Sequence, residues 1–90
     1  MELRETIEGM IDKPLGRMRD EEAVEWVLRR RLTKKEFKVL MGPLRGVSDA
    51  QLQEKLKLDP KRLAEIRSSI RRKLNQDRIK QELYETGKAS

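Results

Sequence analysis

A single amphipathic helix is predicted by the segment Asp59-Pro60-Lys61-Arg62-Leu63-Ala64-Glu65-Ile66-Arg67-Ser68-Ser69-Ile70-Arg71-Arg72-Lys73-Leu74. Asp59 is a favourable N-cap, and Pro60 suits the first helical position, where a missing N–H is tolerated. At about 100° per residue, one stripe collects the apolar residues Leu63, Ile66, Ile70 and Leu74. The opposite face collects the polar residues Lys61, Glu65, Ser68 and Arg72. The segment therefore predicts a helix with a buried stripe and a cationic outer face.

Composition excludes several classes of site. The chain has 90 residues, enough for one small domain, and contains neither cysteine nor histidine. Disulfides, thiolate nucleophiles and the usual zinc and iron sites are therefore not expected. The acidic N-terminal residues and the short longest apolar run, Val39-Leu40-Met41, predict neither a signal peptide nor a membrane span. These features fit a reducing compartment, and a cytoplasmic protein with no membrane partner is expected.

Positive charge is concentrated in the second part of the chain. Residues 1–31 carry seven Lys/Arg against eight Asp/Glu, whereas residues 32–90 carry fifteen against eight. A basic segment within a folded domain indicates binding to the phosphate backbone of a nucleic acid. A basic surface that is simply exposed to solvent gives the same pattern. With only three aromatic residues, the chain offers little for stacking on single-stranded nucleic acid.

Two helices are predicted before residue 32. The first covers residues 2–12, where Leu3, Ile7, Met10 and Ile11 have helical spacing, and Lys13-Pro14-Leu15-Gly16 ends it. The second is capped by Asp20 and closes on Arg29-Arg30-Arg31, the favourable cationic end. Its expected inward residues are Ala23, Val24, Trp26, Val27 and Leu28. The arginine triplet suits a solvated helix end or, alternatively, a phosphate contact.

Two capping boxes define the next helices. Thr33 with Glu36 opens a third helix whose inner face is Phe37, Leu40 and Met41, and Gly42-Pro43 ends it. Ser48 with Gln51 opens a fourth helix, on which Leu52 and Leu56 are four residues apart. Lys57-Leu58 then forms the turn into the basic helix. A short turn between two such helices matches a helix-turn-helix unit.

The tail does not continue the apolar stripe. In an unbroken helix, Ile79 and Leu83 would lie on the far side from Leu63. Either the helix ends near Asn75 and restarts near Asp77, or one long helix presents a second apolar face to a partner. A break at Asn75 is favoured, because Asn tolerates the left-handed conformation that ends helices. Thr86 to Ser90 is expected to be frayed.

Catalysis is not expected. The acidic residues alternate with Lys and Arg at the spacing of helix ion pairs, Ser68 and Ser69 have no histidine base, and no Gly-rich phosphate loop occurs. We therefore expect no catalytic, cofactor or metal site.

Residues 32–74 carry motifs that resemble a known family. Leu32-Thr33-Lys34-Lys35-Glu36-Phe37-Lys38-Val39-Leu40 resembles the opening "L-T-x-R-E-x-x-V-L" of LuxR/FixJ-type output domains and of the related fourth region of bacterial sigma factors. Gly46-Val47-Ser48-Asp49-Ala50-Gln51-Leu52 resembles "G-x-S-x-x-E-I". Leu56 to Asp59 resembles "L-G-I-S", and Ile70 to Asn75 resembles "I-x-x-K-L-G". Lys57 replaces the turn glycine of the family, so a looser or differently shaped turn is expected.

The resemblance implies an all-α fold, a bundle of about five helices containing a helix-turn-helix. We divide the chain into an N-terminal extension (1–31), a helix-turn-helix domain (32–75) and a C-terminal helix with a tail (76–90). The family resemblance implies sequence-specific binding of double-stranded DNA in bacterial transcription regulation, with helix 59–74 in the major groove. The expected base contacts are Lys61, Glu65, Ser68 and Arg72. The expected phosphate contacts are Arg62, Arg71, Lys73, Lys34 and Lys35.

A protein-interaction module is the alternative. In that case the partner is RNA polymerase or a second copy in a homodimer, and DNA binding is slight. The contact surface would include the apolar residues Trp26, Ile79 and Leu83. Double-stranded RNA ranks behind both, because its major groove is too narrow for a helix.

Overall fold

The computed structural model describes residues 3–13 and 16–85, and this part of the chain is all-α, as predicted. The six helices are Leu3–Met10 (α1), Glu21–Arg31 (α2), Lys34–Met41 (α3), Asp49–Leu56 (α4), Pro60–Leu74 (α5) and Asp77–Leu83 (α6). A 3-10 turn, Pro43–Arg45, lies between α3 and α4. Within the described ranges, no helix combines the length and apolar character needed to cross a membrane. Thr86 to Ser90, expected to be frayed, lie outside the described residues, as do Pro14 and Leu15 of the predicted first break.

The helix starts follow the predicted capping signals. Side-chain oxygens of Asp20 and Asp59 accept hydrogen bonds from the N–H groups of Ala23 and Arg62, at 2.9 and 2.7 Å. Both capping boxes form, Thr33 with Glu36 and Ser48 with Gln51. Each such cap contributes about 1 kcal/mol to helix stability.

A two-residue antiparallel ribbon, absent from the sequence prediction, joins the connection between α1 and α2 to the C-terminal end of the described chain. Strand Arg17–Met18 (β1) pairs with strand Tyr84–Glu85 (β2), so that Met18 lies opposite Tyr84. The N–H of Arg19 also donates to the carbonyl of Leu83 at 2.8 Å. The ribbon holds the end of α6 against the connection between α1 and α2.

One core unites the three predicted segments. The stripe of α5 is buried as predicted, at Leu63, Ile66, Ile70 and Leu74, and the most extensive contact between helices joins α3 to α5. The same core includes Ile7 from residues 1–31 and Tyr84 from residues 76–90. Full burial of each large apolar side chain contributes about 1.5–3 kcal/mol. Met10, Phe37 and Leu56 are only partly buried at its edge.

The predicted break between α5 and α6 is confirmed, but its mechanism differs from the prediction. Asn75 has φ −94° and ψ 1°, outside the left-handed region. Its Nδ2 donates to the carbonyls of Met10 and Arg71, both at 2.9 Å, and its Oδ1 accepts from the N–H of Asp12 at 2.8 Å. Asn75 therefore ends α5 by binding the end of α1 through its side chain.

Two predictions of exposed and buried residues are wrong. Ile79 and Leu83, offered as a partner surface, are buried in the protein's own core, because the break gives α6 a new helical phase. Trp26, expected to point inward, is 58% exposed. The interior side of α2 is instead filled by Val24, Val27 and Leu28.

The turn between α4 and α5 keeps a shape that glycine favours. Lys57 adopts φ 56° and ψ 54°, the left-handed conformation, without being glycine. The N–H groups of Lys57 and Leu58 both donate to the carbonyl of Gln53. Leu58 is buried, and Asp59 caps α5 directly afterwards. The connection is therefore short and closely bonded.

Candidate nucleic-acid interface

The outer face of α5 is open to solvent. Its exposed residues include the predicted base and phosphate contacts Lys61, Arg62, Glu65, Ser68, Arg71 and Arg72. Lys34 and Lys35, at the start of α3, are exposed as well. Within the described part of the chain, no ion pair involves Lys61, Arg72, Lys34 or Lys35. Four of the residues predicted to contact DNA are therefore cations that have no ion-pair partner among the described residues.

Two further cations on this face have weak partners. Arg62 pairs with Glu65 at 3.2 Å, and Arg71 approaches Asp12 at 3.5 Å. All four side chains are at least half exposed. Exposed ion pairs contribute about 0–1 kcal/mol and are screened by salt. Arg62 and Arg71 can therefore exchange these partners for a phosphate at little cost.

The fold brings the start of α3 beside α5, from Arg62 to Lys73. A shallow pocket of about 190 Å³ is lined by residues of both helices, including Lys35, Arg62 and Ser69. A separate, wider depression is bordered by Ser68, Arg71 and Arg72 of α5 and by Asp12. The predicted cations Lys35 and Arg62 therefore line one depression beside α5, and Arg71 and Arg72 line another.

Lys73 has a different environment from the other predicted phosphate contacts. Its Nζ donates to Oε1 of Glu36 at 2.7 Å, and the hydroxyl of Ser69 donates to Oε2 at 2.7 Å. The Glu36 side chain is only 9% exposed. Burial raises the pKa of Glu36, but hydrogen bonds from Lys73, the Thr33 N–H and Ser69 outweigh it, so that the pKa lies below the usual value. Lys73 is therefore committed to a buried carboxylate.

Arg67 makes a contact that the sequence did not indicate. Its guanidinium donates to both carboxylate oxygens of Asp49, at 3.1 and 2.6 Å. The hydrogen bond from Arg67 holds the pKa of Asp49 below its usual range. This bidentate pair joins the first turn of α4 to the middle of α5 at the protein surface. The sequence pattern does not predict this ion pair, because Asp49 and Arg67 are far apart in the chain and belong to different helices.

The arginine triplet of α2 is engaged within the fold. Arg31 forms a bidentate ion pair with Glu82, which lowers the pKa of that carboxyl group. Arg29 pairs with Glu25 at 2.9 Å and lies 4.9 Å from the centre of the Phe37 ring. Arg30 lies 4.6 Å from the centre of the Trp26 ring. These internal contacts favour a structural role for the triplet over a phosphate contact.

Among residues 3–13 and 16–85, no group of three or more acidic side chains is placed to hold a metal ion.

Comparison with known proteins identifies no relative. No protein-family model, curated protein or solved structure matches the chain. The resemblance to LuxR/FixJ-type domains therefore rests on the motifs in residues 32–74 alone, and no function is carried over from a relative.

Proposed function

We propose that this chain is a helix-turn-helix protein of the LuxR/FixJ and sigma-region-four type that binds double-stranded DNA in bacterial transcription. The observation that carries the proposal is the exposed cationic face of α5, whose opposite stripe is buried against the core. A helix presented in this way suits the DNA major groove, which is about 12 Å wide. The close turn at Lys57 and the Arg67–Asp49 ion pair support it, because both connect α4 to α5.

Different residues of this face would have different roles. Lys61 and Arg72 suit the acceptors of guanine, and Glu65 suits the amino group of cytosine. Arg62 and Arg71, with Lys34 and Lys35, suit the phosphates on either side of the groove. Lys73 takes no part in this assignment, because Glu36 already holds its ammonium group.

Salt dependence of duplex binding is the first test. A protein that contacts phosphates through the four cations assigned to them should show a slope of about −4 in a plot of log affinity against log salt. Binding would be measured with random-sequence duplex and with duplexes selected from a random pool, at stated salt. Absence of binding at low salt by the folded protein would contradict the proposal.

A charge-reversal pair locates the surface. We expect Lys61→Glu/Arg72→Glu to weaken duplex binding by at least a hundredfold, because it removes two unpaired cations and adds repulsion. The matched control is Arg45→Glu/Lys55→Glu, which makes the same change of charge at exposed residues outside α5. The control should lose only a few-fold in affinity. Equal losses in the two variants would show that α5 has no special role.

The second candidate function is a protein-interaction module. The observation favouring it is Trp26, the only large hydrophobic side chain that is exposed within residues 3–13 and 16–85. RNA polymerase or a second copy of the chain are the partners considered. Ile79 and Leu83 no longer support it, because both are buried. Retention of the folded protein by RNA polymerase without duplex binding would favour this candidate over the first.

A further inference from the structure

The exposed side of α2 has a regular distribution of charge around Trp26. Trp26 is the central residue of this helix, which runs from Glu21 to Arg31. Glutamates occupy its first turn and arginines its last turn. Residues three and four positions from Trp26 share its face. They are Glu22, Ala23, Arg29 and Arg30. We call these five residues the Trp26 face.

Within the described part of the chain, the Trp26 face is largely open to solvent, and Arg29 is its only residue with an ion-pair partner, Glu25 of the same helix. Trp26 is 58% exposed, with the guanidinium of Arg30 over its ring. Neither Glu22 nor Arg30 has an ion-pair partner among the described residues, and both are exposed. Tryptophan and arginine are enriched among the residues that contribute most to protein interfaces, so Trp26 with Arg30 suits the centre of one, and Glu22 suits its rim.

We propose that the Trp26 face binds the same face of a second copy, with the two α2 helices antiparallel about a two-fold axis at Trp26. The distribution of charge selects this arrangement. A parallel pair would place glutamates against glutamates and arginines against arginines. The antiparallel pair places the acidic end of each helix beside the basic end of the other, and the two tryptophans meet at the centre.

The spacing of the residues matches this symmetry. Glu22 and Arg30 each lie four residues from Trp26, which is about 6 Å along the helix axis in opposite directions. When the two-fold axis passes through Trp26, Glu22 of one copy therefore lies opposite Arg30 of the second copy. By symmetry, Arg30 of the first copy lies opposite Glu22 of the second, so the face is complementary to itself.

The dimer is expected to be weak. One face of a short helix is smaller than the roughly 800 Å² per partner of a standard interface, and Trp26 is its only large apolar anchor. Dissociation in the micromolar range or above is the expected result. The dimer uses no residue of α5, so it stands independently of the proposed DNA binding. If both hold, the dimer would present two α5 helices to paired half-sites.

Charge reversal and charge exchange test the arrangement in the full chain without DNA. Sedimentation equilibrium of the wild type over a concentration series should show a monomer–dimer equilibrium. Arg30→Glu and Glu22→Arg should each weaken dimerisation at least tenfold, because each places like charges opposite one another. The double variant Glu22→Arg/Arg30→Glu should recover it.

A mixture of the single variants gives the sharpest result. Arg30→Glu carries two acidic residues on its face and Glu22→Arg carries two basic ones, so the two proteins should form a heterodimer when mixed. The only tryptophan of the chain reports the contact, and its emission should shift to shorter wavelength on association. Lys61→Glu is the matched control, because it makes the same change as Arg30→Glu on another helix, and it should dimerise like the wild type.

Two results would overturn the proposal. One is a wild type that stays monomeric up to millimolar concentration. The other is a dimer that survives both single reversals, since it would use a different surface. Circular dichroism of every variant checks that the helical fold is retained. A wild type that dimerises but binds no duplex at low salt would overturn the proposed function alone.

Discussion

The ammonium group of Lys73, in the last turn of α5, donates to the carboxylate of Glu36, in the first turn of α3, at 2.7 Å. Glu36 also closes the capping box of α3, since its Oε1 accepts from the N–H of Thr33 at 2.9 Å. The hydroxyl of Ser69 donates to its other oxygen. A single buried carboxylate thus caps one helix and holds a second helix against it. This contact joins the helix at the candidate interface to the helix that supports it.

Glu36→Gln should therefore destabilise the protein. The amide can still accept in the capping box, but it loses the negative charge opposite Lys73 and cannot accept equally at both positions. We expect a loss of about 1–3 kcal/mol in the free energy of unfolding, measured by urea denaturation. Glu54→Gln, at an exposed site on α4, is the matched control and should change stability by less than about 0.5 kcal/mol. Equal stability of the two variants would contradict the role given to Glu36.

Acid should weaken the fold through the same carboxylate. The pKa of Glu36 is lower in the folded protein than its ordinary value of 4.5, so the unfolded chain takes up the proton first as the pH falls. The stabilisation is complete above pH 4.5 and is lost as the pH falls through the folded value. Asp49 and Glu82, whose pKa values are also lowered, act in the same direction.

The Glu36→Gln variant isolates the contribution of Glu36 to this pH dependence. Thermal unfolding of the wild type and the variant would be compared between pH 7 and pH 3. The difference in stability between them should narrow as the pH falls, because the wild-type carboxylate becomes protonated. A constant difference over this range would mean that the pKa of Glu36 is the same in the folded and the unfolded protein, and would contradict the stabilisation assigned to its carboxylate.

Local signals predicted the helices, whereas contacts between distant residues escaped prediction. Thr33 with Glu36 and Ser48 with Gln51 are read from four consecutive residues, and both boxes form. The bonds from Glu36 to Ser69 and Lys73 depend on how α3 packs on α5, which spacing along the chain does not specify. For the candidate interface, the helical spacing predicted which residues of α5 are exposed, but it did not predict that Lys73 forms an ion pair with Glu36.

The tail shows how one local unknown changes a larger prediction. The break at Asn75 was predicted, but the phase of the helix after a break cannot be calculated from the helix before it. That phase places Ile79 and Leu83 in the core rather than on a partner surface. The ribbon at Tyr84 was missed for a similar reason, because two-residue strands carry no periodic pattern.

Asn75→Ala should loosen the junction between α1, α5 and α6. The substitution removes two donated hydrogen bonds and one accepted from the Asp12 N–H. We expect a loss of about 1–3 kcal/mol in unfolding free energy, measured by urea denaturation. Gln76→Ala is the control, because Gln76 is exposed and makes no capping bond with its side chain. A control as destabilising as Asn75→Ala would show that the loss reflects the helix ends rather than these bonds.

Lys57→Gly should stabilise the protein. A residue other than glycine in the left-handed conformation costs about 1–2 kcal/mol, and glycine recovers this at the expense of greater freedom in the unfolded chain. The expected net gain is about 0.5–1 kcal/mol, measured as a raised urea midpoint with an unchanged slope. Lys55→Gly, two residues earlier within α4, should instead lose about 1 kcal/mol. A loss in both variants would contradict the left-handed conformation of Lys57.

Arg72 and Lys73 are adjacent in sequence, but their replacement by glutamine should have different effects. Arg72 is exposed with no ion-pair partner among the described residues, so Arg72→Gln should weaken duplex binding about tenfold and leave stability nearly unchanged. Lys73→Gln leaves the buried carboxylate of Glu36 without its cation. It should lower unfolding stability by about 1–3 kcal/mol and weaken binding much less. Parallel salt titrations and urea curves separate the two effects. Equal effects on binding would contradict the assignment of Lys73 to the fold and Arg72 to the interface.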